Sequence, residues 1–101
     1  MNLMKKYFKN REIFEFKISN FFNKVNVNYE LSYHMFTFID NEKLYIITYD
    51  FDLDKNLDIF NIYNINNSIF ETNNINDLIN KIYTFKIIQY KLRLKKFLKL
   101  L

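Results

Sequence analysis

A chain with neither glycine nor proline must make every turn from residues that carry a Cβ and a free backbone N–H. Turns then fall to Asn and Asp, which tolerate positive φ better than other side chains. Alanine, cysteine and tryptophan are missing as well, and Asn, Ile, Lys, Phe and Tyr take their place. The favoured residues have A/T-rich codons, which points to an A/T-rich genome of the kind carried by some bacteria and their phages and plasmids. The same gaps remove chemistry. Glycine-rich phosphate loops, thiol nucleophiles, cysteine metal sites and disulfides are all excluded.

With 101 residues, half of them hydrophobic and a fifth aromatic, the chain has the material for one domain with a real core. The opening Met1-Asn2-Leu3-Met4-Lys5-Lys6 does not read as a signal peptide, because lysines interrupt the apolar stretch. No apolar run reaches the roughly 20 residues of a membrane span, so the expected location is the cytoplasm of a bacterial host.

The net charge of +4 is unevenly spread. Residues 1–24 hold six cations against two carboxylates, and residues 81–101 hold seven cations and no acid. Residues 25–80 hold two lysines against nine acids. Basic ends around an acidic centre imply internal attraction or two surfaces with different partners.

Hydrophobic spacing predicts an α+β fold ordered αβββα. Leu3, Met4, Tyr7, Phe8, Phe14, Ile18, Phe21 and Phe22 share one face of a helix over about 3–22, with Asn2 as N-cap and Asn23 in the left-handed position at its end. Alternation across Ile13–Ile18 leaves residues 12–18 open between helix and strand. Aromatic and β-branched runs predict strands at about 29–39, 44–53 and 57–65, with a possible fourth at Ser68–Glu71 and a hairpin turn at Asp40–Lys43. Asn74 with Asp77 three residues later opens a helix over about 75–100. Its core stripe is Ile79, Tyr83, Ile87, Tyr90, Leu94, Phe97 and Leu101, with a second apolar patch at Phe85, Ile88 and Leu92. Both helices are expected on one face of a three- to four-stranded antiparallel sheet, the last turns overhanging its end.

Candidate functional residues are those the core leaves unused. On the first helix, Lys5, Lys6, Lys9, Lys17 and Lys24 surround Ile13 and Phe16, a layout in which lysines steer a partner and apolar residues anchor it. The last helix adds Lys91, Arg93, Lys95, Lys96, Phe97 and Lys99. Asp50, Asp52, Asp54 and Asp58 form a secondary acidic surface. They resemble the start of a calcium loop only loosely, since Lys55 stands where glycine belongs and Asn61 where a bidentate Glu belongs. The single His34, expected mid-strand, cannot assemble a metal cage, and Ser19, Ser32 and Ser68 lack an acidic orienter in sequence. Glu15-Phe16-Lys17 has the local form of a nuclease motif without the upstream acid.

The chain therefore reads as a small non-enzymatic binding protein with no cofactor, metal or small-molecule substrate. A phage or mobile-element accessory protein that blocks a host nucleic-acid-handling machine by surface occupancy fits best, an inhibitor of a CRISPR-type defence effector being one instance. Direct RNA or DNA binding is the alternative. Membrane-surface attachment, or homodimerisation through the C-terminal helix, is the second.

Overall fold

A computed structural model describes residues 2–100, so Leu101 of the expected helical stripe lies outside the described residues. The first element is a long helix, α1 (Leu3–Val25), and residues 12–18 are helical throughout. The Asn2 side chain accepts the N–H of Met4, which makes it the N-cap. The helix runs one turn beyond its expected end. Asn26, not Asn23, takes the left-handed conformation, and the Val27 N–H returns to the Phe22 carbonyl at 3.0 Å. Extending to Val25 adds a fifth buried residue to Phe14, Ile18, Phe21 and Phe22, while Leu3, Met4 and Phe8 stay exposed. Each such buried side chain contributes about 1.5–3 kcal/mol.

Five strands follow as an antiparallel meander in sequence order: β1 (Glu30–Ser32), β2 (Met35–Asp40), β3 (Lys43–Asp52), β4 (Leu57–Asn64) and β5 (Asn67–Thr72). The single strand expected at 29–39 is two, because Tyr33 and His34 both adopt positive φ and fold the chain back on itself. Asn41 and Glu42 do the same between β2 and β3. Two consecutive left-handed residues in a two-residue loop match the twist of a hairpin. Asn is used at three of the seven positive-φ positions among the described residues, and Asp at none. Tyr33, His34, Glu42 and Ile65 carry the rest. The possible fourth strand at Ser68–Glu71 is real and becomes the fifth, β5.

The last helix is broken. α2 (Ile75–Ile82) is capped by Asn74, whose side chain accepts from Asn76 and Asp77, and α3 (Lys86–Lys99) starts afresh after an extended Phe85. Tertiary contacts override the helical periodicity here. The Phe85 ring is held edge-on between Phe38 and Tyr45, with centroids at 5.1 and 4.7 Å. The Thr84 hydroxyl donates to the Lys81 carbonyl at 2.6 Å, closing off α2. The break divides the expected core stripe. Leu78, Ile82, Phe85 and Ile88 are buried, Ile79, Ile87 and Leu92 pack against that cluster, and Tyr83, Tyr90, Leu94 and Phe97 of the stripe are exposed.

All three helices cover one side of the sheet. Phe14 packs on Phe36, Tyr49 and Phe60, and Phe22 on Phe36 and Phe38, so the buried cluster lies between α1 and the β2–β3–β4 face. α2 lies against β4 and β5, and α3 against β2 and the end of α1. Among the described residues, no helix covers the other side. The longest dimension is 52 Å against 27 and 22 Å, and every α3 residue after Leu92 is exposed.

Candidate functional site

The side of α1 away from the sheet carries the predicted lysine surface. Phe16 is 67% exposed at its centre, although no packing requirement of the monomer places it there. Lys9, Glu12, Ile13, Phe16 and Lys17 line a shallow depression of about 630 Å³, and Lys5 lies one turn away from Lys9. Lys24 sits seven residues beyond Lys17 and so shares its flank of the helix. Lys6 departs from the expected set. Its ammonium donates to Asn56 at 2.7 Å and lies 5.5 Å from the centre of the Phe51 ring, which ties it to the β3–β4 turn. Arg11 is likewise turned inward, with its guanidinium over Tyr7 and Phe8.

A groove of about 440 Å³ joins the end of α1 to α3. Val25, Leu94 and Leu98 form its floor, and Lys24, Lys91, Lys95 and Lys99 its rim. Spacing of four residues stacks Lys91, Lys95 and Lys99 in one row. Lys95 also donates to the Lys24 carbonyl at 3.5 Å, placing a cation at the electronegative end of α1. Arg93, Lys96 and Phe97 are exposed and lie outside the groove. The structure thus brings together Lys24, Lys91, Lys95 and Lys99 from two helices, and leaves Arg93, Lys96 and Phe97 on the protruding part of α3.

The four predicted carboxylates separate. Asp50 and Asp52 alternate on β3 and face the uncovered side of the sheet, whereas Asp54 lies in the following turn. The Asp52 side chain accepts the N–H groups of Asp54 and Lys55, both at 3.0 Å, and so shapes that turn. Asp58 points the other way, beneath α1. It accepts from the Tyr49 hydroxyl at 2.7 Å and from the Asn10 amide at 3.0 Å, which removes it from the acidic surface. Burial, with the Asp58 carboxylate as its neighbour, pushes the Tyr49 hydroxyl pKa well above the usual tyrosine value. Among the described residues, no group of three metal-ligating side chains converges.

His34 lies in the β1–β2 turn, not mid-strand, and its Nδ1 pairs with Glu15 Oε1 at 2.8 Å. This contact pins the turn to α1.

The uncovered sheet face follows from the expected placement of the helices on one side, but sequence reading did not mark it as a surface of its own. Register places Met35, Thr37, Ile39, Leu44, Ile46, Thr48, Ile59 and Tyr63 on it, with Glu30, Asp50, Asp52 and Glu71. Among the described residues no Lys, Arg or His occupies a strand position facing this side. Asn61 is buried in its middle, accepting from Ser68 Oγ at 2.9 Å. A recess of about 440 Å³ joins part of this face to the Tyr33–His34 turn. Four of the nine carboxylates in the acidic middle, Glu30, Asp50, Asp52 and Glu71, therefore lie on the side away from the basic helices, whereas Asp40, Asp58 and Asp77 lie on the helical side. The signal was present in strands such as Met35-Phe36-Thr37-Phe38-Ile39, which are apolar on both faces.

Among the described residues, no helix is long and apolar enough to cross a membrane. Comparison of the chain with models of protein families, with curated proteins and with solved structures finds no match.

Proposed function

We propose that the protein is a non-enzymatic binding module whose helical layer occupies an anionic site on a macromolecular partner. The carrying observation is Phe16, exposed at the centre of a face that also holds Lys5, Lys9, Ile13 and Lys17. A large ring left in water among cations serves as an anchor once the lysines have steered an acidic partner into place. The groove rimmed by Lys24, Lys91, Lys95 and Lys99 extends the same charge onto α3.

The A/T-biased composition and this surface together support an accessory protein of a phage or mobile element. Acting in a bacterial cytoplasm, it blocks a nucleic-acid-handling protein or nucleoprotein by covering its functional surface, as an inhibitor of a CRISPR-type effector does. A second reading, direct RNA or DNA binding, draws on Tyr90 and Phe97, which are exposed beside Lys91, Arg93 and Lys96 and offer stacking platforms next to phosphate-seeking cations.

One pair of measurements tests both. Binding to random single-stranded RNA and DNA is followed across a salt series for the wild type and for Lys5→Glu/Lys9→Glu/Lys17→Glu. The blocking reading expects no nucleic-acid binding, and capture of a discrete host complex by the wild type that the triple variant loses. A steep fall of affinity with salt for free nucleic acid supports the second reading instead.

A further inference from the structure

Two surfaces of this chain are left without a partner, and each has what the other lacks. α3 protrudes as an arm. Tyr90 and Phe97 lie on the face opposite the side on which Ile88 and Leu92 meet the core, with Leu94 and Leu98 between them and the Val25 groove, and Phe97 is 57% exposed. The same fourteen-residue helix carries six cations and no carboxylate. Across the molecule, the uncovered sheet face carries four carboxylates and no strand-borne cation, with Met35 exposed near Asp50 and Glu71, and Ile39 and Leu44 exposed at the other end of β2 and β3. Apolar faces of this kind are normally covered, and a sheet is normally covered by a helix.

We propose that the α3 arm of one copy docks across the uncovered sheet face of a second copy. The dimensions allow it: the exposed arm beyond Leu92, seven residues at about 1.5 Å each, spans about 10 Å, which reaches across three strands about 4.8 Å apart. Charge selects this arrangement over a symmetric pairing of two α3 helices, which would set six cations against six with no acid between them. In the arm-to-face contact Lys91, Arg93 and Lys96 approach Asp50, Asp52 and Glu71, and Phe97 and Leu98 cover Met35. The result is a sheet with helices on both faces. This contact leaves free the Lys5–Lys9–Phe16 face that carries the proposed function, but it occupies Lys91 of the groove and the Tyr90–Phe97 surface on which the nucleic-acid reading draws.

The test uses two variants at exposed positions, an arm variant (Phe97→Glu/Leu98→Glu) and a face variant (Asp50→Lys/Glu71→Lys), each checked for an unchanged circular dichroism spectrum. Molar mass is measured by light scattering after gel filtration at about 100 μM in low salt. The wild type should exceed the 12.6 kDa of one chain, and each variant alone should run as a monomer. Mixed in equal amounts, the variants should form a one-to-one pair, because one retains its arm and the other its face. A wild type that stays monomeric at every concentration overturns the proposal, as does an arm variant that still associates or a mixture that does not pair. Anionic vesicles (phosphatidylglycerol in phosphatidylcholine) are run in parallel. A monomeric wild type that sediments with them through the arm assigns α3 to a lipid surface instead.

Discussion

Asp40, the buried last residue of β2, caps a helix that begins forty-six residues later: its carboxylate accepts the N–H of Ile87 at 2.7 Å and that of Lys86 at 3.3 Å. A carboxylate at this place satisfies two otherwise unpaired donors and meets the positive end of the helix. It also fixes where α3 leaves the sheet. Replacing Asp40 by Ala should lower stability by about 1–2 kcal/mol and reduce helical ellipticity, while Asp40→Asn should cost less. Urea melts monitored at 222 nm separate the two.

Tyr49 makes the fold sensitive to alkali. Its folded pKa lies above the unfolded value of about 10. Below pH 10 both states keep the phenolic proton and stability does not depend on it. As pH rises past 10, the unfolded chain releases that proton while the folded chain retains it, so stability falls. Tyr49→Phe should therefore lose some stability at neutral pH with its bond to Asp58, and decline less steeply above pH 10. Thermal midpoints from pH 7 to 11 test this, and parallel curves for both proteins would refute it.

Ile65 sits at φ 58°, a conformation that a β-branched side chain reaches only with strain. Ile65→Gly should raise stability by about 1 kcal/mol, seen as a higher denaturation midpoint. The same change at Asn26, which tolerates its left-handed geometry, should alter stability by only a few tenths of a kcal/mol.

Two phenylalanines of α1, two residues apart, should respond in opposite ways. Phe14 is fully buried against Phe36, Tyr49 and Phe60, and Phe14→Ala should cost about 3–5 kcal/mol. Phe16→Ser should stay within about 0.5 kcal/mol of the wild type, yet weaken partner binding at least tenfold. Denaturation curves and partner titration, run on both variants, separate fold from function.

Much of this was legible in the residues. The helix over α1, the capping by Asn2 and Asn74, the turn at Asn41 and Glu42, and the exposure of Ile13 and Phe16 all follow from local spacing and side-chain chemistry. The misses share a cause, which is that the deciding contacts are distant in sequence. Nothing near Thr84 marks the end of a helix, because the cap arrives from Asp40 and the slot for Phe85 from Phe38 and Tyr45. Tyr33 and His34 do not look like turn residues, and the pairing of Glu15 with His34 that holds them comes from α1. Asp58 and Asp50 belong to the same acidic run, but strand parity sends one under α1 and the other to the open side.

The cations of α1 and α3 above the sheet, set against Glu30, Asp50, Asp52 and Glu71 below it, give the folded chain a permanent electric dipole across its short axis. Near a polyanion the molecule experiences a torque before any atoms touch, and it arrives helices first. That orientation acts over about one Debye length, roughly 8 Å at physiological ionic strength, so salt should slow productive encounters much more than it weakens the finished complex.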